Sequence, residues 1–441
     1  MEQSTTLQAA RPVKGSRLVP LALAFHARHR IAFAWIAIIL VGVIGLMARR
    51  PDQLHAPYIW VEDAGINLPD YARSGWRTIF HTVSGYFVLP SKLLFVVSMV
   101  LSFRWFPEVS YWLTALFTCL VMGAVAFSPT RLQLRLACAL MLMALPVDSE
   151  VYGVSLYACW WGSLLVVLPL LWRDDARHRR GWRTAMLLLG GLSSPIVIAL
   201  LPLFAWRAWA HRNRDVSMDL GFAALAAAVQ LGALLVSEHA PYNGFAHFGL
   251  GLFLQKFFGY FVLVHATAAE HYFASGLAAA FLLAGLTAFG WRHRKDLGET
   301  FFILLAAVVL AAIASALRND LAIIHPVNAG PRYFFLPFAF LSWALIQLAA
   351  LPRAPGQAGF AAAFALAMLA LATRDALVIG QRRHEANDWR QVVSNCIAAE
   401  GRQPIPFHFD GRRASMGNTY LTGEECRRLV MNSVFDRRIE P

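Results

Sequence analysis

Three carboxylates stand beside aromatic residues at the edges of apolar blocks, where they could act as bases. Glu62 and Asp63 follow Trp60 shortly after the first long apolar block, and Glu150 lies between two later blocks. A carboxylate that protein and lipid shield from water has a raised pKa and can accept a proton near neutral pH. The sequence therefore predicts catalytic carboxylates here, although a solvated loop acid or a helix N-cap would equally explain the Glu62–Asp63 pair.

One arginine is predicted to lie on the outer side of the membrane, whereas most of the basic residues are predicted to lie on the cytoplasmic side. Arg332 opens the apolar block that begins at Tyr333, on the side predicted to face outward, against the positive-inside trend. An arginine binds phosphate through two parallel hydrogen bonds, so a phosphate partner would explain it. Snorkelling to lipid phosphates is the alternative. Lys256 is a weaker phosphate-binding candidate, and three histidines of the same predicted outer loop are weaker still: His239, His265 and His271.

Aromatic residues follow Glu150 in the chain. Tyr157, Trp160 and Trp161 stand close together at the start of an apolar block. Aromatic rings can stack on a sugar face, and they also form the belts that mark membrane interfaces. Spacing alone leaves both interpretations open.

The elements that must position these residues are membrane helices. Of the 441 residues, 58% are hydrophobic and only 15% are charged, against roughly 25% charged in soluble domains. The apolar blocks are about 18–25 residues long, enough to cross a hydrocarbon core of roughly 30 Å as helices. The net charge of +13 lies in short clusters between these blocks. That distribution fits the positive-inside rule and excludes a nucleic-acid groove.

The fold predicted is an all-α polytopic membrane protein of about 11 membrane segments. We expect a basic cytoplasmic N-terminus over residues 1–30 and a helical bundle over 31–373. The first helix covers Ile31–Ala48. The segment that follows it, residues 51–83, is too polar to span and should lie in the interface. An extracytoplasmic tail would follow over 374–441. The predicted outer loops are 51–83, 237–271 and 318–332.

Two features of this topology stay open at the level of sequence. The predicted second and third spans are Ser84–Ser102 and Phe106–Phe127, with Arg104 in the turn between them. From residue 128 to 173 the crossings then fit only if Leu132–Leu145 dips in and returns, or if one boundary is misplaced. Thr184–Ala210 raises the same question, because basic clusters flank it and Ser194–Pro195 breaks it, and a bent re-entrant pair would fit. In the tail, an extracytoplasmic location would permit a disulfide between two cysteines without proving it. These are Cys396 and Cys426.

Taken in order, these signals resemble the GT-C superfamily of membrane glycosyltransferases, and in particular a poorly characterised bacterial branch of it. The resemblance covers roughly residues 30–400 and depends on the order of short motifs. These motifs are Trp60, Glu62-Asp63 and Gly65; Gly85-Tyr86, Pro90 and Lys92; Pro146, Glu150-Val151 and Trp160; Leu192, Ser193 and Pro195; Gly330, Arg332 and Tyr333; and Trp389. The chain departs from the pattern at 153–155, where Gly-Val-Ser stands in place of the usual Asn residues, and at Lys92, where Arg is more usual.

The resemblance implies an enzyme that moves a sugar from a polyprenyl phosphate onto a cell-envelope glycan or lipid, with inversion, at the outer face of the bacterial inner membrane. Asp63 or Glu62 would be the base, and Glu150 would position the acceptor. Arg332, with Tyr333 and Lys256, would bind the donor phosphate. The residues expected at the sugar or acceptor are Trp60, Tyr86 and Trp160. The lipid-linked sugar is itself the donor, so we expect no metal, no cofactor and no nucleic-acid partner.

Three other functions compete with this one. An O-antigen ligase or polymerase would use Arg and His of a large outer loop, but 237–271 is only moderate in length. A lipid or glycan transporter would need buried ionisable residues in mid-helix, and few are present, since Asp219 is near a helix end and Gln230 is neutral. A structural membrane protein without chemistry is the third.

Overall fold

The computed structural model describes residues 18–173, 180–237, 248–264, 272–351, 357–379, 388–408 and 416–438, and it is mostly helical. The first ten helices are α1 (Leu18–Arg49), α2 (Pro51–His55), α3 (Leu68–Ser74), α4 (Leu89–Leu101), α5 (Phe106–Phe127), α6 (Arg135–Met141), α7 (Ala158–Leu170), α8 (Arg180–Gly191), α9 (Ile196–His211) and α10 (Arg214–Val236). The others are α11 (Leu250–Leu254), α12 (Tyr260–Val262), α13 (Tyr272–Arg292), α14 (Arg294–Arg318), α15 (Arg332–Ala349), α16 (Gln357–Val378), α17 (Trp389–Ala398) and α18 (Gly423–Asn432). Two strands, β1 (Arg402–His408) and β2 (Met416–Thr422), lie between α17 and α18.

Within the described ranges, seven helices are long and apolar enough to cross a membrane. They lie in α1, α5, α10, α13, α14, α15 and α16. Five further apolar stretches have only 10–17 residues: Leu89–Leu101, Arg135–Ala144, Ala158–Leu170, Ile196–His211 and Leu250–Val262. The chain is therefore a polytopic helical protein, while the total of about 11 segments stays a prediction.

Contacts between helix ends define two faces of the bundle. On one face, which we call the arginine face, the Arg131 guanidinium pairs with Glu299 at 2.5 Å, and His211 Nε2 lies 2.9 Å from the same carboxylate. Arg180 pairs with Asp215 there, also at 2.5 Å. The other face, which we call the loop face, carries segments 56–88, 148–157 and 319–331. Helix α5 joins the two faces, because its 22 residues cover about 33 Å.

Helix α4 stays on the loop face, so the predicted span Ser84–Ser102 is wrong. Its 13 residues reach only about 20 Å. The turn that follows it contacts the C-terminal segment: Trp389 Nε1 donates to the Phe103 carbonyl at 2.8 Å, and Ser102 Oγ donates to Asp436 at 2.6 Å. Its apolar residues, such as Phe95, pack against the first loop and the C-terminal segment. That packing explains why α4 is as apolar as a membrane-spanning helix: its apolar residues contact other parts of the protein.

The contacts of residues 128–173 favour the alternative of a misplaced boundary. Segment 132–147 passes from the arginine face, where the Gln133 N–H donates to Gln347 at 2.9 Å, to the end of α1. There Arg49 donates to the carbonyls of Leu145 and Val147 at 2.5 and 2.6 Å. Helix α7 then returns, and its end meets the Arg131 N–H at 2.7 Å. The segment therefore connects the two faces as a short, broken helix instead of dipping and returning.

The predicted break at Ser194–Pro195 is confirmed. Helix α8 ends at Gly191 and α9 begins at Ile196, because Pro195 has no backbone N–H to continue the ladder of α8. The bend is stabilised by a hydrogen bond between Ser194 Oγ and Ser163 Oγ of α7 at 2.7 Å. Helices α8 and α9 therefore form a hairpin packed on α7, with their other ends on the arginine face.

The C-terminal segment departs from the all-α prediction. Strands β1 and β2 pair antiparallel, from Arg402 opposite Thr422 to His408 opposite Met416. A disulfide joins Cys396 of α17 to Cys426 of α18, as an oxidising compartment would permit. We call residues 388–438 the C-terminal module. Its buried residues Ile405 and Leu421 belong to the same apolar cluster as Ala64 of the first loop, so the module and the first loop share a face.

Candidate active site

Tyr157 is the centre of a polar cluster on the loop face. Its hydroxyl donates to Glu62 Oε1 at 2.9 Å. It accepts from Trp60 Nε1 at 3.1 Å and from Arg332 Nη1 at 3.2 Å. Arg332 also forms an ion pair with Glu150. The cluster therefore brings together four residues predicted from sequence at separate points of the chain.

Local backbone geometry presents each member of the cluster. Glu62 is the residue before a π-helical turn, Asp63–Asn67, and such turns occur frequently at functional sites. Glu150 lies in a single 3₁₀ turn, and its N–H donates to Asp148 Oδ1, the N-cap of that turn, at 2.9 Å. Arg332 is the first residue of α15, after a positive-φ Gly330. All three sites are helix starts, where a side chain is held by backbone geometry at the edge of the bundle.

Arg332 is fixed on one side and open on the other. Its guanidinium carbon lies 5.4 Å from the Tyr157 ring centre and 5.1 Å from the Tyr333 ring centre. Within the described chain its hydrogen bonds run through Nη1 alone, and its side chain is 27% exposed. Glu150 is only 5% exposed in its side chain, so its charge depends on this arginine. Arg332 can therefore keep Glu150 and still offer its second guanidinium edge to an anion.

The two adjacent carboxylates have different surroundings. Asp63 is 2% exposed, and both of its oxygens accept hydrogen bonds, from Asn67 Nδ2 at 2.8 Å and Ser155 Oγ at 2.6 Å. Burial raises the pKa of Asp63 to about 6, against these two hydrogen bonds. The cavity beside it has a volume of only about 10 Å³, roughly one water. Asp63 is therefore closed to a substrate.

Glu62 has one oxygen to spare. Its Oε1 accepts from Tyr157, while Oε2 is buried and has no hydrogen-bond partner among the described residues. Burial raises the pKa of Glu62, and the charge of Arg332 opposes that rise. A buried oxygen without a partner is costly and calls for a reason, such as a ligand hydroxyl that binds there. Of the two carboxylates, Glu62 is the one arranged to accept a proton.

An apolar groove of about 420 Å³ adjoins the cluster. Tyr86, Trp160 and Tyr333 line it, and the rings of Trp160 and Tyr333 meet edge to face at 5.6 Å. Its walls are mainly aliphatic residues of α9 and α14. Arg318 also lines it. Its Nη2 donates to the Ser84 carbonyl at 2.5 Å, and its guanidinium carbon lies 5.7 Å from the Tyr86 ring centre. The groove can hold a hydrocarbon chain with a charged head near Arg318 and Arg332.

Lys256, one of the predicted phosphate-binding residues, contacts the 319–331 loop. Lys256 Nζ donates to the carbonyls of Ala322 at 3.2 Å and Ile324 at 2.6 Å, so it holds the 319–331 loop in place. Among the described residues, Lys256 and Arg332 share no hydrogen-bond partner. The three histidine candidates, His239, His265 and His271, lie outside the described residues.

Sequence reasoning missed the residues that connect the site. Tyr157 was considered for stacking, but its hydroxyl has the larger role as a hydrogen-bond centre. Ser155 and Arg318 were not singled out as site residues. Arg318, like Arg332, stands at an end of the predicted outer loop 318–332, against the positive-inside trend, and this was a usable signal. Among the described residues no group of three or more His, Cys, Asp or Glu could hold a metal ion.

Comparison of the chain with protein-family models, with curated proteins and with solved structures finds no match.

Proposed function

We propose that the protein is a membrane glycosyltransferase of the GT-C kind, which moves a sugar from a polyprenyl phosphate to an envelope glycan or lipid. The observation that supports this most is the position of the Glu62–Tyr157–Arg332 cluster beside the apolar groove. A base with a free oxygen, a half-engaged arginine and a hydrocarbon-sized groove suit a substrate that is part lipid, part phosphate and part sugar.

The donor is placed by its two ends. Its prenyl chain lies in the groove, where burial of apolar surface stabilises it by roughly 25 cal/mol per Å². Its phosphate lies at the outer end, between the guanidinium groups of Arg318 and Arg332. Arginine suits this role because its planar fork makes two parallel hydrogen bonds to phosphate oxygens. The aromatic rings of Trp160 and Tyr86 then face the sugar.

The transfer step assigns each proton and bond. The acceptor hydroxyl gives its proton to Glu62 Oε2 as its oxygen attacks the anomeric carbon. The bond between that carbon and the phosphate oxygen breaks, and polyprenyl phosphate leaves with both electrons of that bond. Arg332 stabilises the charge that develops on the phosphate. Glu150 positions Arg332, and Asp63 anchors the turn that carries Glu62. Attack opposite the leaving group inverts the anomeric configuration.

This function places the loop face outward in the bacterial inner membrane, with the C-terminal module on the same side. Membrane lipid, the lipid-linked sugar and a glycan or glycolipid acceptor are the partners that it requires. Neither a nucleotide nor a metal takes part in the step as written.

The test is a transfer assay on purified full-length protein in detergent. Polyprenyl phosphates bearing radiolabelled hexoses or pentoses are incubated with an envelope glycolipid fraction. We expect label to move from the prenyl lipid to the acceptor, and Glu62→Gln to abolish the transfer. Movement of intact oligosaccharide blocks would favour a ligase or polymerase. In proteoliposomes, translocation of the labelled lipid without covalent transfer would favour a transporter and contradict the proposal.

A further inference from the structure

A buried glutamine of α10 has no part in the transfer step proposed above. Gln230 lies in the second half of this helix, where every other residue from Leu220 to Val236 is apolar or glycine. It is 0% exposed. An amide is costly to bury in such surroundings unless hydrogen bonds compensate it, and polar groups inside a membrane bundle often have a function. The contacts of Gln230 indicate what that function is.

The Gln230 amide binds one backbone residue through both of its polar groups. Its Oε1 accepts from the Phe87 N–H at 3.0 Å, and its Nε2 donates to the Phe87 carbonyl, also at 3.0 Å. Two residues of neighbouring β-strands exchange the same pair of bonds, so the amide fixes both the position and the orientation of Phe87. Nε2 also donates to the Gly191 carbonyl at 3.1 Å. One side chain thus joins α10 to two other segments, residues 83–88 and the end of α8.

Both of these segments continue into walls of the apolar groove. Phe87 directly follows Tyr86, which lines the groove. Gly191 is the last residue of α8, just before the bend whose residues 194–196 line the groove as well. Because Gln230 bonds to both segments, it sets the distance between Tyr86 and the bend.

Helix α10 also contacts the turn that precedes Phe87. In this turn Ser84 and Gly85 have positive φ, 52° and 85°. A β-carbon added to Gly85 would lie 2.5 Å from Ser237 Oγ, so the end of α10 approaches the turn as closely as glycine allows. Ser237 follows Gln230 by about two helical turns and therefore lies on the same side of α10. One side of the helix thus holds the turn at two points.

We propose that Gln230 is a positioning residue for the lipid-linked donor: it holds the segment that carries Tyr86, and so sets the affinity of the groove for a polyprenyl phosphate. This inference rests on the proposed function. The turn also presents the Ser84 carbonyl, which accepts from Arg318 at 2.5 Å. A displaced turn would therefore move one of the two arginines proposed to bind the phosphate. Gln230 acts through the backbone, so its loss should weaken donor binding and leave acceptor binding as it is.

The test compares Gln230→Leu with the native full-length protein in detergent. Leucine occupies similar space but makes none of the three hydrogen bonds. In the transfer assay, the KM for the prenyl-linked donor should rise about tenfold, with kcat and the KM for the acceptor little changed. The half-saturation concentration of undecaprenyl phosphate, measured from the melting temperature without acceptor, should rise by a similar factor. Each shift in melting temperature is taken from the variant's own lipid-free baseline.

The matched control is Gln347→Leu. Gln347 of α15 makes the same kind of pairing on the arginine face: its Oε1 accepts from the Gln133 N–H at 2.9 Å, and its Nε2 donates to the Gln133 carbonyl at 3.5 Å. Both substitutions should lower the melting temperature, because each removes an amide that bonds to backbone groups. Only Gln230→Leu should weaken binding of undecaprenyl phosphate. Equal weakening in the two variants would reduce the effect to lost stability and overturn the inference.

A second variant displaces the turn while Gln230 stays intact. Gly85→Ala places a β-carbon against Ser237 and strains a positive φ. We expect the same selective loss of undecaprenyl phosphate binding, and this variant decides the matter if Gln230→Leu does not fold. Unchanged binding in a folded Gln230→Leu protein would overturn the inference, as would a native protein that does not bind undecaprenyl phosphate. Binding that depends on Gln230 in a protein that transfers no sugar would contradict the proposed function alone.

Discussion

The two faces of the bundle both bury charge, but they use it differently. On the arginine face three carboxylates form ion pairs: Asp215 with Arg180, Asp219 with Arg183, and Glu299 with Arg131. These pairs join the ends of helices that are distant in sequence. On the loop face, Glu62 keeps an oxygen without a hydrogen-bond partner among the described residues, beside an arginine engaged through one nitrogen. The ion pairs hold the helices of the bundle together. The incompletely paired groups leave a carboxylate oxygen and a guanidinium edge that a substrate can bind.

The largest expected effect comes from Glu62→Gln. The amide keeps the size of the side chain but cannot accept the acceptor's proton. Transfer should fall by about 10²–10⁴-fold, the usual contribution of a general base. The free energy of unfolding should not fall, because a neutral amide costs less to bury than a carboxylate. A radiolabel transfer assay and a melting curve on the same preparation measure both, and retained transfer would remove Glu62 from the mechanism.

Arg332→Lys follows, with an expected loss of about 10²–10³-fold in transfer. Lysine keeps the charge that Glu150 needs but loses the planar fork, so the fold should survive. Arg332→Gln should instead destabilise the protein by roughly 3–5 kcal/mol, because Glu150 is left buried without a partner. Adding Glu150→Gln to it should restore the melting temperature without restoring transfer. Recovery of transfer in that double variant would show that Arg332 acts only as a partner of Glu150.

The C-terminal module gives the next effect. The disulfide closes a separation of 30 residues, so its loss should reduce the module's stability by roughly 3–4 kcal/mol. Because Ala64 and Leu68 of the first loop pack on the module, Cys396→Ser should also lower transfer severalfold. Limited proteolysis and the transfer assay measure the two effects. The control is Cys119→Ser, which changes a buried free cysteine; an equal loss in both variants would argue against a special role for the module.

Asp63→Asn tests the closed carboxylate through pH. Burial raises the pKa of Asp63 from 3.8 to about 6 in the folded protein. The folded state therefore holds a proton that the unfolded state releases, and this favourable contribution is complete below pH 3.8 and lost as the pH rises through about 6. The variant should gain melting temperature relative to the native protein as pH rises from 4.5 to 7.5. A difference in melting temperature that does not change with pH would show that the pKa of Asp63 is not raised.

The smallest effect on transfer is expected from the arginine face. Glu299→Gln should lower stability by roughly 1–3 kcal/mol, since it weakens bonds to Arg131 and His211. Transfer per folded molecule should stay as in the native protein. A change in transfer beyond the change in folded fraction would break the division between the two faces.

The sequence predicts the long helices and the candidate residues better than it predicts the contacts between them. The bounds of α5 were predicted as they are found, Phe106–Phe127, because a continuous apolar block begins beside Pro107 and ends before Pro129. Helix α4 was mistaken for a span because its apolar residues pack on the C-terminal module, nearly 300 residues later. Likewise, Glu150 meets Arg332 across 182 residues. Hydropathy reports burial but cannot tell lipid from a distant part of the same chain.

The most direct test is the position of a lipid phosphate on the protein. Cryo-electron microscopy of the protein in nanodiscs with a polyprenyl phosphate would locate both the phosphate and the chain. The account predicts phosphate density within hydrogen-bonding distance of Arg332 or Arg318, with prenyl density along the groove lined by Trp160 and Tyr333. An empty groove with the polyprenyl phosphate bound elsewhere, under conditions where sugar is transferred, would contradict it.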